Sequence, residues 1–342
     1  MVSATPLLSV LIPVRDAERT LGAALSSVLA ESGEDIEVLV VDDGSRDGSP
    51  ALARAQAVRD RRVRVIQRPR EGLVPALQAG VAEARGAYLA RHDADDLSVA
   101  PRLRLSAECL AAHPEVDVVA CGFEMFRDDG PAGLGMTRWA EWSNRLSTHE
   151  DVVRERFVES PFAHPSVTMR LSALRALGGY REGDFPEDYE LWLRFLGAGR
   201  RVARLPLIGV RVRDHAGRTI RREPKYRPEA FRALKLRHLR AEFLRQGEPV
   251  LVVGGGRVAK RWLGDLRDAG IAVAALLDLH PRRIGRLVAG VPVRHPREAM
   301  ADPASSRLLA LGAVGRPGAR ESVRETLRAL GRKEGKDFVL IA

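Results

Sequence analysis

Apolar residues in the first half of this chain follow two alternating patterns. Some recur at helical spacing, as in residues 17–31 and 73–84, and others stand in continuous runs typical of parallel strands buried on both faces. The continuous runs are residues 8–14, 36–41, 63–67 and 87–90. This alternation predicts a parallel sheet with right-handed crossovers, and ligands bind such sheets beyond the carboxyl ends of the strands. Polar residues at those ends are therefore the first candidates for a functional site.

Three carboxylates follow the fourth apolar run: Asp93, Asp95 and Asp96. Acids spaced so closely raise one another's pKa, and a divalent cation that neutralises them makes the arrangement tolerable. Hard oxygen ligands suit Mg²⁺ or Mn²⁺, which take their remaining ligands from water and substrate phosphates. The cluster therefore indicates a metal–diphosphate site. The alternative is an acidic, N-capping turn before a helix that starts near Val99.

The second apolar run ends in Asp42 and Asp43, followed by Gly44 and Ser45. Gly44 permits a tight turn, and either Ser45 or Asp47 is a suitable cap for the next helix. Taken alone, this is ordinary turn chemistry. Combined with the acidic cluster at a later strand end, it favours a ligand site.

Three segments carry a family resemblance: residues 9–14, 42–47 and 93–96, in this order and spacing. They resemble family 2 glycosyltransferases of the GT-A fold, and the resemblance extends over about residues 6–240. It implies an α/β domain with a Rossmann-like mixed sheet flanked by helices. It also implies transfer of a sugar from a nucleotide-diphosphate donor to a hydroxyl acceptor, either a glycan or a lipid-linked sugar.

The resemblance assigns four residues to the nucleotide. Pro13 and Arg15 would lie beside the base, although Arg15 stands where the family often has Tyr or Phe. Asp42 would accept a hydrogen bond from the base, which favours uracil, and Gly44 would shape the turn next to it.

The same resemblance assigns the diphosphate end of the donor. Asp93 and Asp95 would hold the ribose and the metal, with Asp96 also in reach of the cation. His215 would close over the diphosphate or complete the metal shell. Arg211, with Arg213 nearby, would clamp phosphate oxygens, for which a guanidinium is well shaped.

On the acceptor side, the resemblance makes Asp188 the general base, preceded by Glu187 and followed by Trp192. From the residues alone, 186–197 is an amphipathic helix whose first-turn acids complement the helix dipole. His164 resembles a family residue that lines the acceptor site, although a structural histidine is the favoured interpretation.

The pattern changes at residues 246–249, which we interpret as a linker between domains 1–245 and 246–342. A following apolar run leads into Gly254 and Gly256, which fit the turn that hands a diphosphate to a helix N-terminus. A second strand, 271–277, ends in Asp278, where dinucleotide-binding folds keep a ribose-binding acid. The spacing predicts a small Rossmann-like C-terminal domain. Nucleotide binding and a packing or dimerisation role both remain open for it.

The net charge of +10 and the pI of 10.3 favour anionic partners. The excess is concentrated in residues 200–245, which hold fifteen Lys and Arg against four Asp and Glu. Peripheral contact with a membrane, an anionic acceptor and a solvated helix face remain open for this region, and we expect no nucleic-acid partner. Two cysteines give neither a disulfide framework nor a zinc spacing, which favours the cytosol.

The sequence therefore predicts a cytoplasmic, metal-dependent, inverting glycosyltransferase of bacterial surface glycan synthesis, with a Rossmann-like C-terminal domain. The alternative is a non-catalytic or bifunctional nucleotide-sugar-binding protein whose C-terminal domain has a separate nucleotide-dependent role.

Overall fold

A computed structural model describes residues 7–31, 33, 35–244, 247–316 and 318–342. Residues 245 and 246, at the predicted domain boundary, lie outside the described residues. The chain forms two compact units. The first comprises Met1–Val152 and Pro161–Tyr226, and the second comprises Val153–Ser160 and Arg227–Ala342. The second unit thus includes a short segment from the N-terminal half, which we call the inserted segment (Val153–Ser160).

The first unit contains a mixed sheet of eight strands. In chain order the strands are β1 (Leu8–Val14), β2 (Ile36–Asp43), β3 (Val63–Arg68), β4 (Tyr88–Arg91), β5 (Leu97–Ser98), β6 (Val116–Phe126), β7 (Val167–Arg170) and β8 (Arg201–Arg213). Their spatial order is β3-β2-β1-β4-β7-β6-β8-β5. Strands β1 to β4 are mutually parallel, whereas β7 runs antiparallel to both of its neighbours. The polar ends of β1, β2 and β4 therefore meet at one edge, as the apolar runs predict.

Helices cover this sheet or connect its strands. They are α1 (Leu21–Glu31), α2 (Ser49–Arg59), α3 (Leu73–Glu83), α4 (Arg102–Ala112), α5 (Leu134–Asn144), α6 (His149–Glu155), α7 (Leu171–Ala176), α8 (Glu187–Gly197) and α9 (Thr219–Arg222), with 3₁₀ turns at His164–Ser166 and Pro224–Tyr226. The helix α8 is buried nearly all round, and its apolar side chains form part of the core.

One predicted boundary differs from the structure for an identifiable reason. The helix predicted from residue 17 begins at Leu21, because backbone N–H groups of Ala17 and Glu18 donate to Ser49, at the start of α2, and to Asp47, in the loop before it. The strand β8 extends as far as Arg213, because it pairs with β6 along that length. Arg211 and Arg213 therefore belong to the strand rather than to the loop after it.

The second unit contains a six-stranded sheet. Its strands are β9 (Val250–Val253), β10 (Val273–Leu277), β11 (Leu287–Val288), β12 (Val291–Arg294), β13 (Ala310–Gly312) and β14 (Phe338–Leu340), in the order β11-β12-β10-β9-β13-β14. All pairs are parallel except β11 with β12. Its helices are α10 (Pro228–Phe243), α11 (Arg257–Asp268), α12 (Pro296–Ala301) and α13 (Ala319–Ala329), with a 3₁₀ turn at Ser305–Arg307. Whether this unit serves as a nucleotide-binding domain remains a prediction.

The inserted segment is held within the second unit by buried polar contacts. Glu155 accepts a hydrogen bond from Arg324, which also donates to Glu334 at 2.9 Å. Lys235 Nζ lies 2.7 Å from the carbonyl oxygen of Val158 and 3.3 Å from that of Ile341. Burial lowers the pKa of this lysine to about 8. Among the described residues, no helix combines the length and apolarity needed to cross a bilayer.

Candidate active site

The acidic cluster lies just beyond the end of β4. One carboxylate oxygen each from Asp93, Asp95 and Asp96 lies within 4.8 Å of the others. Asp93 and Asp95 are partly exposed, while Asp96 is buried and accepts a hydrogen bond from the backbone N–H of Arg213 at 2.8 Å. Burial, followed by the charges of Asp93 and Asp95, raises the pKa of Asp96 well above its usual value.

The second oxygen of Asp96 supports a cation at this position. Asp96 Oδ2 is buried, and no hydrogen-bond donor reaches it in the described part of the chain. A buried carboxylate oxygen without a partner is costly, and an ion would relieve that cost. Three convergent carboxylates form a hard-oxygen donor set of the kind that Mg²⁺ and Mn²⁺ prefer. The residues present therefore fit a divalent cation.

A buried arginine lies next to the acidic cluster. Arg91, only 1% exposed, donates to Asp93 Oδ1 at 2.6 Å and to the carbonyl oxygen of His92. Burial lowers the pKa of Arg91, but the charge and hydrogen bond of Asp93, with the charge of Glu187, oppose that effect and the pKa is raised. Arg91 therefore stays charged and brings a permanent positive charge to the site.

The end of β8 contributes to the same site. His215 Nε2 lies 2.9 Å from Asp95 Oδ2, and Arg213 Nε donates to the carbonyl oxygen of Asp95 at 2.8 Å. Arg211 instead donates to Glu124 at 2.7 Å and stacks on the ring of Phe126. Arg213, and not Arg211, thus contacts the acidic cluster; a phosphate-clamping role for Arg211 stays a prediction.

Arg218 is a further cation at this site that the sequence analysis did not single out. Its backbone N–H donates to the carbonyl oxygen of His215 at 3.3 Å, and its positive charge lowers the pKa of Asp96 against the effect of burial. Its Nη1 atom is buried and meets no acceptor among the described residues. A guanidinium with an unused donor beside a cation site is well suited to phosphate oxygens.

The predicted nucleotide residues lie at the ends of β1 and β2. Asp42 is buried and its Oδ1 accepts a hydrogen bond from the backbone N–H of Ser45 at 3.3 Å. Arg15, 45% exposed, lies 3.6 Å from Asp43 Oδ2. Pro13, within β1, is buried.

Gly44 is required by the geometry of this turn. Its φ of 63° lies in the left-handed region, and a Cβ here would be 2.8 Å from the backbone nitrogen of Arg70. The turn next to Asp42 therefore depends on glycine at this position.

Asp188 and Glu187 begin α8, where Pro186 precedes the first turn. Asp188 is half-buried, and its Oδ1 accepts the backbone N–H of Tyr189 at 2.7 Å. Burial and the charge of Glu187 raise the pKa of Asp188 to about 7, against the opposing effects of the Tyr189 N–H and Lys225. A carboxyl with this pKa is suited to accept a proton near neutral pH.

Glu187 differs from Asp188 in having its oxygens occupied. The hydroxyl of Tyr226 lies 2.9 Å from Oε1 and 2.8 Å from Oε2, and Lys225 Nζ lies 3.0 Å from Oε2. Burial raises the pKa of Tyr226, and the negative charges of Glu187 and Asp188 raise it further, so the phenol stays protonated and donates. The sequence analysis missed Lys225 and Tyr226, because no periodic pattern marks a partner 38 or 39 residues away.

His164 and Trp192 are packing residues in this structure. His164 Nε2 lies 2.8 Å from the hydroxyl of Tyr180, and its ring centroid is 5.9 Å from that of Trp192. Burial and, to a smaller extent, the charge of Arg91 lower the pKa of His164 well below its usual value. Trp192 is only 1% exposed. An acceptor-side role for either residue stays a prediction.

The glycine turn of the second unit connects β9 to α11. Gly254 has φ 122°, and Gly256 caps the N-terminus of α11 without a side-chain hydrogen bond. Asp278 Oδ1 accepts the backbone N–H of His280 and Oδ2 lies 2.8 Å from Arg283. A Cβ at Gly255 would lie 1.8 Å from Asp278 Oδ2, so the turn and this acid are in contact. Nucleotide binding by these residues stays a prediction.

Comparison with known protein sequences places these residues in context. The profile of the family described as Glycosyl transferase family 2 matches residues 9–178. EpsE of Bacillus subtilis (strain 168), named as a glycosyltransferase, is 32% identical over 226 residues, which cover 65% of this chain and 78% of EpsE. The amylovoran biosynthesis glycosyltransferase AmsE of Erwinia amylovora is 30% identical over 143 residues, or 42% of this chain and 50% of AmsE.

Two solved structures share the fold. Residues 1–349 of S. aureus TarS in complex with UDP-GlcNAc superpose with a TM-score of 0.52 at 16% identity, covering 69% of this chain and 67% of that one. The mannosyltransferase PcManGT of Pyrobaculum calidifontis, in complex with GDP-Man and Mn²⁺, gives 0.51 at 20% identity, covering 72% and 66%. These likenesses confirm the predicted GT-A fold class.

Proposed function

This chain belongs to glycosyl transferase family 2, and from that membership we propose that it is an inverting enzyme with Asp188 as its general base. In this proposal the donor is a nucleotide-diphosphate sugar of the UDP type, and a hydroxyl of a glycan or lipid-linked sugar is the acceptor. The structures of relatives contain UDP-GlcNAc in one case and GDP-Man in the other, so the relatives leave both bases open. Asp42, buried next to the Gly44 turn, is the residue that favours uracil.

The observation that carries the proposal is the contrast between Asp188 and the acidic cluster. Asp188 has a pKa of about 7, raised by burial, by the charge of Glu187 and, to a smaller extent, by the charge of Asp93. Glycosyl transfer with inversion requires this pair of elements. A carboxylate takes the acceptor proton, and a cationic site neutralises the departing diphosphate.

The proposed reaction is a single displacement. Asp188 accepts the proton of the acceptor hydroxyl as the acceptor oxygen forms a bond to the anomeric carbon of the donor sugar. The bond between that carbon and the diphosphate oxygen breaks, and the electron pair leaves with the nucleoside diphosphate. Attack opposite the leaving group inverts the anomeric centre.

The acidic cluster would hold the cation in this scheme, through Asp95 and Asp96 with His215 and Asp93 beside them. When bound, Mn²⁺ or Mg²⁺ would supply Lewis-acid neutralisation of the diphosphate. Arg213 fixes the backbone of Asp95, and Arg218 offers an unused donor to phosphate oxygens. Asp93, held by Arg91, would orient the ribose.

The basic residues of 200–245 support a lipid-linked acceptor and a site of action next to a membrane. A cytoplasmic enzyme of surface glycan synthesis that meets a lipid-linked acceptor benefits from a basic surface near an anionic leaflet. Within the predicted region, Lys235 is buried and occupied, whereas Arg237 and Arg240 of the same helix are exposed enough to contribute. We propose peripheral contact through the exposed members of this set.

A nucleotide-sugar screen tests the proposal. UDP- and GDP-sugars are incubated with the protein in Mn²⁺ or EDTA, and release of nucleoside diphosphate is measured. We expect Mn²⁺-dependent release from a UDP-sugar, and loss of it in Asp95→Asn. Release from GDP-sugars alone would overturn the uracil assignment. Metal-dependent binding of UDP-sugars without any release, with or without glycan acceptors, would instead support a non-catalytic binding protein.

A further inference from the structure

The contacts of Glu187 lead to an assignment that the sequence analysis did not make. Glu187 is 3% exposed, and both of its oxygens are engaged by the pair Lys225 and Tyr226. These two residues lie in the 3₁₀ turn Pro224–Tyr226, which follows the segment that carries His215 and Arg218. A carboxylate whose lone pairs already accept charge-assisted hydrogen bonds is a poor proton acceptor.

Asp188, the next residue, has a different environment. Its Oδ1 is occupied by the N–H of Tyr189, and Oδ2 has no donor among the described residues. The two acids therefore have separate tasks, although they adjoin in sequence. Glu187 is committed to structural contacts, and Asp188 keeps an oxygen available for a substrate proton.

We propose that Lys225 and Tyr226 bind Glu187 and thereby fix the first turn of α8. Asp188 then points its free oxygen at the acceptor hydroxyl. Lys225, Tyr226 and Glu187 are positioning residues in this assignment, which rests on the proposed function for its catalytic consequence. The same contacts hold residues 216–226 in place. At one end of this segment His215 contacts Asp95, and at the other end Tyr226 contacts Glu187. One carboxylate thus serves both the proton acceptor and the segment that approaches the diphosphate.

Low solvent exposure distinguishes these contacts of Glu187 from an exposed surface ion pair. Lys225 is 17% exposed and Glu187 is nearly inaccessible, so solvent screens their attraction only weakly. The ammonium also lies 3.5 Å from Glu223, and the charges of both acids raise its pKa against the effect of burial. Lys225 therefore remains protonated while it contacts Glu187.

The test uses the full-length protein and two kinds of measurement. Lys225→Met and Tyr226→Phe are compared with Lys336→Met and Tyr88→Phe, which make the same chemical changes away from Glu187. Hydrogen–deuterium exchange of residues 216–226 is measured first, because it does not depend on activity. We expect residues 216–226 to exchange at least tenfold faster than in the wild type in the two test variants. In the two controls we expect the exchange rate to be unchanged.

The second measurement uses whichever UDP-sugar the wild-type protein turns over. We expect kcat to fall about 10-fold or more with the donor KM changed less than twofold, and Lys225→Arg to restore most of kcat. Unchanged exchange together with unchanged kcat would overturn the assignment. Faster exchange with unchanged kcat would overturn the positioning role and leave only a structural contact. If no UDP-sugar is turned over by the wild type, the proposed function fails separately. The exchange result alone then decides whether Lys225 and Tyr226 hold residues 216–226 through Glu187.

Discussion

Arg91 donates to Asp93 Oδ1 at 2.6 Å from a guanidinium that is almost wholly buried. The pair places a fixed positive charge next to the carboxylates of the acidic cluster. We therefore expect Arg91→Met to lower the free energy of unfolding by about 3 kcal/mol, since removing one partner leaves polar groups unpaired. The loss should be larger at pH 8 than at pH 5, because Asp96, whose pKa is raised well above its usual value, is ionised more fully at pH 8 and adds to the negative charge left without a cation.

Urea unfolding at the two pH values checks this expectation. Arg104→Met is the matched control, because Arg104 is 58% exposed and pairs with Glu108 one helical turn away. That variant should change stability by less than about 0.5 kcal/mol. A loss in Arg91→Met that does not depend on pH would show that the guanidinium acts by packing and not by charge.

The acidic cluster predicts that nucleotide binding depends on a metal. UDP should raise Tm with Mn²⁺ present and much less in EDTA, by mass action on the folded state; a ligand at 100 times its Kd adds about 2.7 kcal/mol. Asp96→Asn should abolish the Mn²⁺-dependent part, whereas Asp129→Asn, at an exposed acid, should not. Equal Tm shifts in Mn²⁺ and EDTA would remove the cation from the proposed site.

Asp188 predicts a pH-dependent rate. Asp188→Asn should retain UDP binding and lower kcat by about 10²–10⁴, the usual contribution of a positioned base. In the wild type, kcat should fall about tenfold per unit below pH 7, because the pKa of about 7 leaves the carboxyl protonated there. Asp184→Asn, four residues earlier and exposed, is the control. A flat rate between pH 5 and 8 would exclude Asp188 as the base.

The same raised pKa has an effect on stability with a definite sign. A carboxyl whose pKa is higher in the folded state than in the unfolded one destabilises the fold as pH rises from about 4 to 7. Asp188→Asn should therefore stabilise the protein, by more at pH 8 than at pH 5. Thermal unfolding of both proteins at these pH values provides the comparison, and a destabilised variant at pH 8 would contradict the assigned pKa.

The contacts of Arg324 predict that the inserted segment depends on the rest of the second unit for its stability. Its guanidinium, 8% exposed, contacts Glu155 of the inserted segment and Glu334. We expect Arg324→Met to lower the free energy of unfolding by about 3 kcal/mol, because it removes the buried cation that Glu155 and Glu334 share and leaves Glu155 only the more distant Arg154. Arg328→Met removes a half-exposed contact to Glu334 and should cost less than about 1 kcal/mol. Similar losses in both variants would contradict this role for Glu155.

The strands β1 to β4 and the acidic edge of the first unit were predictable because each leaves a local pattern. A buried parallel strand is a continuous apolar run, and β1 matches its prediction at both ends. The acids Asp93, Asp95 and Asp96 adjoin in sequence, so their proximity needed no knowledge of the fold.

Contacts across the fold could not be read in the same way. The approach of Tyr226 to Glu187 depends on how β8 ends and on where the following residues run, and no periodicity encodes either. Arg91 had a signal that the sequence analysis did not use. An arginine at the end of an apolar run that forms a buried strand is unusual, and it indicates a buried anionic partner.

The inserted segment has a consequence for the order of events during synthesis on the ribosome. Glu155 and Val158 are translated early, but their partners Arg324 and Lys235, and the carbonyl of Ile341 that shares Lys235, follow only much later. Until then the stretch immediately before Pro161 lacks its native contacts. Interrupted translation would thus yield chains in which this stretch is open to proteases, even when the first four strands are complete.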